Sequence, residues 1–283
     1  MRRKEFKPDM ENYMKSQYRK VIESMIFEPA DVYHQKAKEN LSSHQLIDFI
    51  KCPQLYRQKK LGIIVEPESA AFSIGRAAHT LILEGDEKFK TEYAVGGPIN
   101  PKTQRPYGDK TNKFKEWAKE QNKPVVSFDD ALTLECLKNG FDSNAEAKRL
   151  VNAGAAEGVI RTNPFGMESQ IRVDWFSPDE GIIDLKTSRD LDSFEADAMR
   201  FKYINQLAFY QEVIYRETGI LAPVHIIAVE KKAPFRCGVW LLENRDLAIA
   251  NYENIEAMKR LRACQISNKW PTDYEAVRKL RLT

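Results

Sequence analysis

Several features that would assign a protein to a special class are missing from this chain of 283 residues. It contains no run of eighteen apolar residues, which a membrane-spanning helix needs, and its start, Met1–Lys7, lacks the apolar stretch of a secretory signal. The four cysteines, Cys52, Cys136, Cys237 and Cys264, form no C-x-x-C pair, which argues against a disulfide framework and a zinc knuckle. We therefore expect a cytoplasmic protein whose cysteines are reduced.

A strong excess of one charge is also missing. The 44 Lys and Arg residues nearly balance the 41 Asp and Glu residues, so nucleic-acid binding would have to rest on local concentrations of basic side chains. These occur within 2–20, from 259 onwards, and in 101–113, where two prolines and a glycine predict an exposed loop. Charged ends and loops also serve solubility alone. The candidates for nucleic-acid binding in the loop are Lys102, Arg105, Lys110 and Lys113.

The first part of the chain predicts helices. Residues 1–40 have no clean period and are expected to form a partly helical N-terminal arm, with 41–283 as a single domain. Ser42 and Gln45 have the spacing of a capping box, which predicts a helix start at this point. Residues 73–84 carry apolar side chains at helical spacing and should form a buried helix.

The middle third changes to short β-rich runs. Residues 157–162, 168–176 and 181–187 are separated by turn sequences and predict three antiparallel strands. A long helix from Ser193 to Glu217, strands at 224–230 and 237–242, and a helix from Asp246 to Cys264 should follow. This order of elements predicts an α/β fold with a central mixed β-sheet flanked by helices.

The pattern richest in chemistry lies in two of these strands. Asp184 and Lys186 point to the same face because alternate residues of a strand share a face, and Asp174 on the preceding strand can lie beside them. Two close carboxylates repel each other unless a cation lies between them, and their hard oxygens suit Mg²⁺ or Mn²⁺. The lysine could orient or deprotonate a water that the metal polarises. A charged surface hairpin or an internal ion pair would give the same pattern.

With its neighbours, this pattern resembles the PD-(D/E)XK nuclease superfamily, and within it the RecB-like exonucleases, nearest to the exonuclease VIII (RecE) branch. The resemblance covers about 41–275 and its pieces follow in the family order. They are the helix 41–53 ending in Cys-Pro, the G-x-x-x-H of 75–79, Asp174 with Asp184-x-Lys186, the Q-x-x-x-Y of 206–210, and the segments 229–234 and 269–271. The fold it implies is the restriction-endonuclease-like PD-(D/E)XK core.

The resemblance also implies roles for single residues. His79 would be a metal ligand beside Asp174 and Asp184, although a lone histidine on a buried helix is more often part of the core. Gln206 and Tyr210, on one face of a helix, would serve catalysis, but core packing explains a tyrosine there equally well. Glu157 matches an acidic metal-binding position, with Glu168 as a competitor. Arg76 joins the candidates for nucleic-acid binding.

For cofactors, the sequence implies Mg²⁺, with Mn²⁺ possible. In some relatives, an iron–sulfur cluster joins the cysteine of the Cys-Pro helix to three C-terminal cysteines. Here the C-terminal side offers only Cys237 and Cys264, so no cluster is expected. No Walker A motif occurs, so ATP hydrolysis is not expected.

The expected activity is metal-dependent exonuclease action. By the resemblance, double-stranded DNA ends would be degraded 5′→3′ by a ring-shaped oligomer in phage or prophage recombination, with a single-strand annealing protein as partner. Two alternatives stay open: a nuclease of the same fold acting on flaps, single strands or RNA, and a non-catalytic DNA-binding module.

Overall fold

The computed structural model describes residues 8–65 and 70–280. Within them, five strands form one sheet in the order β3-β4-β5-β6-β7, and two short strands, β1 and β2, form a separate parallel pair. The bounds are β1 Ala94–Val95, β2 Val125–Val126, β3 Ala155–Thr162, β4 Ser169–Ser177, β5 Gly181–Ser188, β6 Val224–Glu230 and β7 Cys237–Leu241. The predicted strands of the large sheet are confirmed to within about two residues at each end.

The large sheet is mixed, as predicted. The pairs β3–β4, β4–β5 and β6–β7 are antiparallel, whereas β5 and β6 are parallel. The parallel pair needs a crossover, which is formed by two helices between residues 194 and 218. Strand β5 therefore lies in the middle of the sheet with a neighbour on each side.

Helices cover both faces of this sheet. One apolar cluster joins Ile182 and Val224 to the helix at 203–218, and a second joins Ile183 and Leu185 to the helix at 128–142. The four strand residues, Ile182, Ile183, Leu185 and Val224, are each 0% exposed. Burial on both faces explains why the β5 sequence is apolar without alternation.

The helices as the structure has them are α1 Pro8–Ser24, α2 Ala30–Lys36, α3 Ser43–Lys51, α4 Pro53–Lys60, α5 Ala70–His79, α6 Asp86–Glu92, α7 Asn112–Glu120, α8 Phe128–Asp142, α9 Ala145–Leu150, α10 Phe194–Arg200, α11 Tyr203–Thr218 and α12 Asn244–Ser267. None of the described helices is both long and apolar enough to span a membrane. Tyr18 and Val21 of α1 are buried in the same apolar cluster as Ile182.

The capping box at the start of α3 is confirmed. The Gln45 backbone N–H donates to Ser42 Oγ at 3.4 Å, and the Ser42 backbone N–H donates to Gln45 Oε1 at 3.1 Å. Two donors that the first helical turn leaves without partners are satisfied in this way.

Two predicted elements differ from the structure. The single long helix at 193–217 is wrong, because Lys202 adopts a left-handed conformation (φ 62°) and separates α10 from α11. The helix predicted over 73–84 begins earlier, as α5, and its last part, Thr80–Glu84, is a turn of π-helix. Helical periodicity predicts neither the break at Lys202 nor the π-helical turn, because the apolar face continues across both.

Candidate metal centre

Strand β5 supplies two of the predicted site residues. Asp184 and Lys186 share one face of the strand, and Lys186 Nζ lies 2.6 Å from Asp184 Oδ2. The Asp184 side chain is 2% exposed and that of Lys186 16% exposed. A charged pair this deep in the sheet excludes the surface-hairpin interpretation.

Asp174 of β4 lies next to Asp184, where the two strands separate. The β4–β5 ladder runs from Ser177↔Gly181 to Trp175↔Ile183 and ends there, although its register would place Asp174 opposite Asp184. The backbone N–H of Leu185 donates instead to Asp174 Oδ2 at 2.9 Å. The carboxylate thus replaces a ladder partner and is fixed beside β5.

Helix α5 brings His79 to the same place. Its Nδ1 lies 3.4 Å from Asp174 Oδ2. Gly75 lies where this helix contacts β5: a Cβ at this position would lie 3.6 Å from Thr187 Oγ1, which leaves room for a methyl group. Ala77 and Ala78, at 1% and 0% exposure, complete this close packing.

Glu157 of β3 completes the cluster from the other side of Asp174. The β3–β4 register pairs Ala156 with Trp175 and Gly158 with Val173, so Glu157 lies across from Asp174. It is a non-glycine residue with a φ of 58°, a conformation that is uncommon and costs roughly 1–3 kcal/mol unless the surroundings enforce it. Glu157 Oε2 lies 2.7 Å from Arg172 Nε.

One ligand atom from each of His79, Glu157 and Asp174 can be chosen so that all lie within 4.8 Å of one another. Glu168, the competing acidic residue, lies elsewhere: it is exposed and accepts a hydrogen bond from Asn163 at 2.6 Å. Asp184 is not one of these three residues, but it lies beside Asp174 and therefore borders the same site.

Burial dominates the protonation of the acidic groups. It raises the pKa of Asp184 to about 6, with Lys186 acting in the opposite direction and Asp174 adding to the rise. Burial, followed by the charge of Asp174, raises the pKa of Glu157 to about 8, and burial also raises the pKa of Asp174. These carboxyl groups are thus held together at a cost that a cation would remove.

The basic groups of the site respond differently to the same burial. Burial, together with Lys186, lowers the pKa of His79 to about 4, so the imidazole is neutral at pH 7 and can offer a lone pair. Burial lowers the pKa of Lys186, but the charges of Asp184 and Asp174 more than offset it, and the net shift is upward.

The residues present fit a divalent cation. Within the described part of the chain, Asp184 Oδ1 is buried without a hydrogen-bond partner, whereas Oδ2 lies 2.6 Å from Lys186 Nζ. A buried acceptor left without a partner is costly. Carboxylate oxygens with one imidazole are ligands that suit Mg²⁺ or Mn²⁺.

Gln206 and Tyr210 lie on α11 and are each 5% exposed. Gln206 Nε2 donates to Tyr210 Oη at 3.3 Å, so the two side chains bond to each other. Among the described contacts, Lys186 meets a different residue of this helix: its Nζ lies 4.9 Å from the centre of the Tyr203 ring.

The predicted nucleic-acid-binding residues are all exposed. Lys102, Arg105, Lys110 and Lys113 are exposed, and Lys113 forms an ion pair with Glu116 at 3.2 Å. The stretch 101–113 is largely exposed, as predicted. Residues 101–111 form a loop, and the last two residues belong to α7. Arg76 is exposed and lies one helical turn before His79.

Sequence reasoning missed three residues near the centre. Arg172, which pairs with Glu157, lies two positions before Asp174 on the same strand, and Tyr203 lies three positions before Gln206 on the same helix. Strand and helix periodicity could have found both. His44, whose pKa is lowered by burial and then by the charge of Lys186, gives no such signal.

Comparison with known proteins relates the chain to one family and to solved structures. A family described as a PDDEXK-like domain of unknown function (DUF3799) matches residues 42–283. No curated protein matches the chain. A solved structure from Eubacterium rectale, provisionally named an exonuclease, is similar over 91% of this chain and 97% of its own, with 16% identity and a TM-score of 0.64. A phage-related exonuclease from Haemophilus somnus covers 81% of this chain and 96% of its own, with 15% identity and a TM-score of 0.37.

Proposed function

This chain belongs to the PDDEXK-like domain family, and we propose that it is a metal-dependent DNA exonuclease that hydrolyses phosphodiester bonds from the ends of double-stranded DNA. The observation that carries the proposal is the buried Asp184 carboxylate, whose Oδ1 has no hydrogen-bond partner among the described residues and whose Oδ2 is paired with Lys186. An ion pair with a purely structural role would be expected to satisfy its oxygens.

In the proposed mechanism, some residues bind the metal and another positions the attacking water. His79, Glu157, Asp174 and Asp184 would hold one or two divalent ions. When bound, Mg²⁺ would polarise the scissile phosphate and make an attacking hydroxide available near neutral pH. Lys186, fixed at 2.6 Å from Asp184, would donate a hydrogen bond to the water and align it with phosphorus. The pair Gln206 and Tyr210 would support the site from α11.

The exposed basic loop supports DNA as substrate. Lys102, Arg105, Lys110 and Lys113 would contact the phosphate backbone without reading bases, as would Arg76 beside His79. Binding of this kind is tolerant of sequence and weakens steeply with salt. The exonuclease name of the Eubacterium rectale protein, which has the same fold, is in line with attack from an end.

The finer parts of the proposal rest on the resemblance to the exonuclease VIII branch. They are 5′→3′ polarity, a role in phage or prophage homologous recombination in the cytoplasm, a ring-shaped homo-oligomer, and a single-strand annealing protein that coats the exposed strand. A ring would keep the enzyme on its DNA between cleavage steps.

A nuclease assay on end-labelled DNA tests the proposal. The parent protein and Asp184→Asn are incubated with linear duplex DNA labelled at the 5′ or the 3′ end, in Mg²⁺, in Mn²⁺ or in EDTA. Asp129→Asn, at an exposed helix start, is the matched control. We expect Mg²⁺-dependent release of the 5′ label by the parent and the control, and none by Asp184→Asn.

Other results would overturn the proposal in distinct ways. Early release of the 3′ label refutes the polarity. If duplex ends stay intact but single strands, flaps or RNA are cut, the substrate class is wrong and the fold serves another nuclease. If no nucleic acid is cut in either metal, the chain is a non-catalytic module.

A further inference from the structure

Four aromatic rings lie in contact with one another beside Lys186. Ring centroids lie 4.5 Å apart for Trp240 and Phe194, 6.3 Å for Phe194 and Tyr203, and 5.9 Å for Tyr203 and Phe201. Phe194, the second ring, is 3% exposed, whereas Phe201 at one end is 44% exposed and Trp240 at the other end is half-buried. We call Trp240, Phe194, Tyr203 and Phe201 the aromatic row.

The aromatic row connects the exterior with the proposed catalytic lysine. The Tyr203 ring centre lies 4.9 Å from Lys186 Nζ, and Phe201 is the next ring outward. The break between α10 and α11 at Lys202 separates these two residues and lets their rings lie within 30° of parallel. A continuous helix would instead point residues i and i+2 to different sides.

The outer end of the row is chemically suited to a nucleobase. Phe201 is 44% exposed, and an exposed aromatic ring can stack on the π-face of any base. Arg200 lies over the same ring, with its guanidinium carbon 5.5 Å from the ring centre, and its side chain is exposed. A planar cation beside a stacking ring can pair with a neighbouring phosphate.

We propose that the outer end of the aromatic row, Phe201 with the edge of Tyr203, stacks an unpaired nucleobase of the strand being cleaved. This inference rests on the proposed nuclease function, because the phosphate of that nucleotide would lie at Lys186. The site would receive the base of a terminal nucleotide once it has left the duplex. Its selectivity is for an unpaired base of any sequence.

A neighbouring cavity with a mixed polar and apolar lining provides the control for this inference. Between α10, the start of α11 and α12 lies a cavity of about 330 Å³ whose lining includes Met199, Ile249, Lys202 and Glu253. Met199 is 65% exposed and close in sequence to Phe201, but it takes no part in the aromatic row. If this surface binds a partner through general hydrophobicity, Met199 should matter as much as Phe201.

The test uses a DNA end that carries 2-aminopurine, whose fluorescence is quenched by stacking, in a short 5′ overhang. Binding is measured with the full chain carrying Asp184→Asn, so that the strand is not cut. We expect Phe201→Ala and Phe201→Leu to restore the fluorescence and to weaken binding by about 5- to 150-fold. Phe201→Tyr should retain both properties, and Met199→Ala should change neither.

An abasic end identifies the base as the ligand. Replacing the 2-aminopurine nucleotide with an abasic one should weaken binding of the Phe201 protein by the same factor and leave Phe201→Ala binding unchanged. Equal effects of the abasic end on both proteins overturn the inference, and so do equal losses in Met199→Ala and Phe201→Ala. Phe201→Leu keeps the apolar bulk, so a folding defect in Phe201→Ala alone would not hide the result.

Failure of this inference is distinguishable from failure of the proposed function. If the parent degrades DNA ends but Phe201→Ala and Phe201→Leu keep the quenching, the stacking site is refuted and the nuclease stands. If the base is quenched through Phe201 but the parent cuts no nucleic acid, the exonuclease proposal is refuted and base stacking stands.

Discussion

The Asp174 carboxylate accepts the backbone N–H of Leu185 at 2.9 Å, across the point where β4 and β5 stop pairing. One side chain therefore both closes a gap in the sheet and contributes charge to the candidate metal centre. Because the bond runs to the residue between Asp184 and Lys186, it also fixes the strand segment that carries them. Different substitutions of Asp174 can separate its hydrogen bond to Leu185 from its charge in the candidate metal centre.

Asp174→Asn and Asp174→Ala should have different effects on stability. The amide oxygen of Asn can still accept from Leu185, whereas Ala leaves a buried N–H unpaired, at a cost of about 1–3 kcal/mol. In EDTA, Asp174→Asn should unfold at the same urea concentration as the parent or higher, since a buried charge is removed. Asp174→Ala should unfold earlier. Equal midpoints for the two variants would show that the bond to Leu185 does not contribute.

Divalent ions should stabilise the parent protein. At a Mg²⁺ concentration 100-fold above its Kd, one bound ion adds about 2.7 kcal/mol to the free energy of unfolding. For a chain of this size, that corresponds to a rise in melting temperature of about 5–10 °C. Thermal unfolding in Mg²⁺ and in EDTA measures the difference, which Asp184→Asn should greatly reduce. A rise of the same size in Asp184→Asn would place the ion elsewhere.

Without metal, stability should fall as the pH rises through the acidic groups of the site. Burial raises the pKa of Asp184 to about 6 and that of Glu157 to about 8, so the folded state holds these protons where the unfolded chain has lost them. Stability from such groups is complete below about pH 4 and is lost as the pH approaches each folded pKa. Urea unfolding in EDTA between pH 5 and pH 9 should show this decline.

The matched pair for this pH dependence is Glu157→Gln and Glu168→Gln. Glu157→Gln should flatten the decline between pH 6 and pH 8, whereas Glu168→Gln, at an exposed position, should retain it. Saturating Mg²⁺ should reverse the slope in the parent, because the ion binds the ionised carboxylates. A flat profile in the parent without metal would contradict the assignment of these pKa shifts.

Gly75 should tolerate Ala but not a large side chain. The added Cβ of Ala would meet Thr187 Oγ1 at 3.6 Å, an ordinary contact, and removal of a helical glycine stabilises by about 0.5–1 kcal/mol. Gly75→Leu would push α5 away from β5 and cost about 1–3 kcal/mol. It should also weaken metal binding through the displacement of His79. Titration with Mg²⁺ alongside urea unfolding separates these two effects.

The sheet and its central pair were predictable from sequence because their signals are local. Turn residues separate the strands, and alternation places Asp184 and Lys186 on one face. The break at Lys202 and the left-handed Glu157 were not predictable, since neither is a glycine and both conformations depend on tertiary contacts. The contact between Lys186 and Tyr203 joins a strand to a helix start 17 positions later, a pairing that periodicity within single elements does not give.

At position 157, the residue that would relieve the backbone strain differs from the residue that supplies the carboxylate. Glycine adopts this conformation without strain, so Glu157→Gly would relieve about 1 kcal/mol or more of backbone strain and remove a buried carboxyl group. Two roles of the carboxylate favour keeping glutamate at this site: the metal centre and the ion pair with Arg172. In lineages where the metal centre is no longer under selection and Arg172 is also replaced, position 157 should therefore be among the first to change.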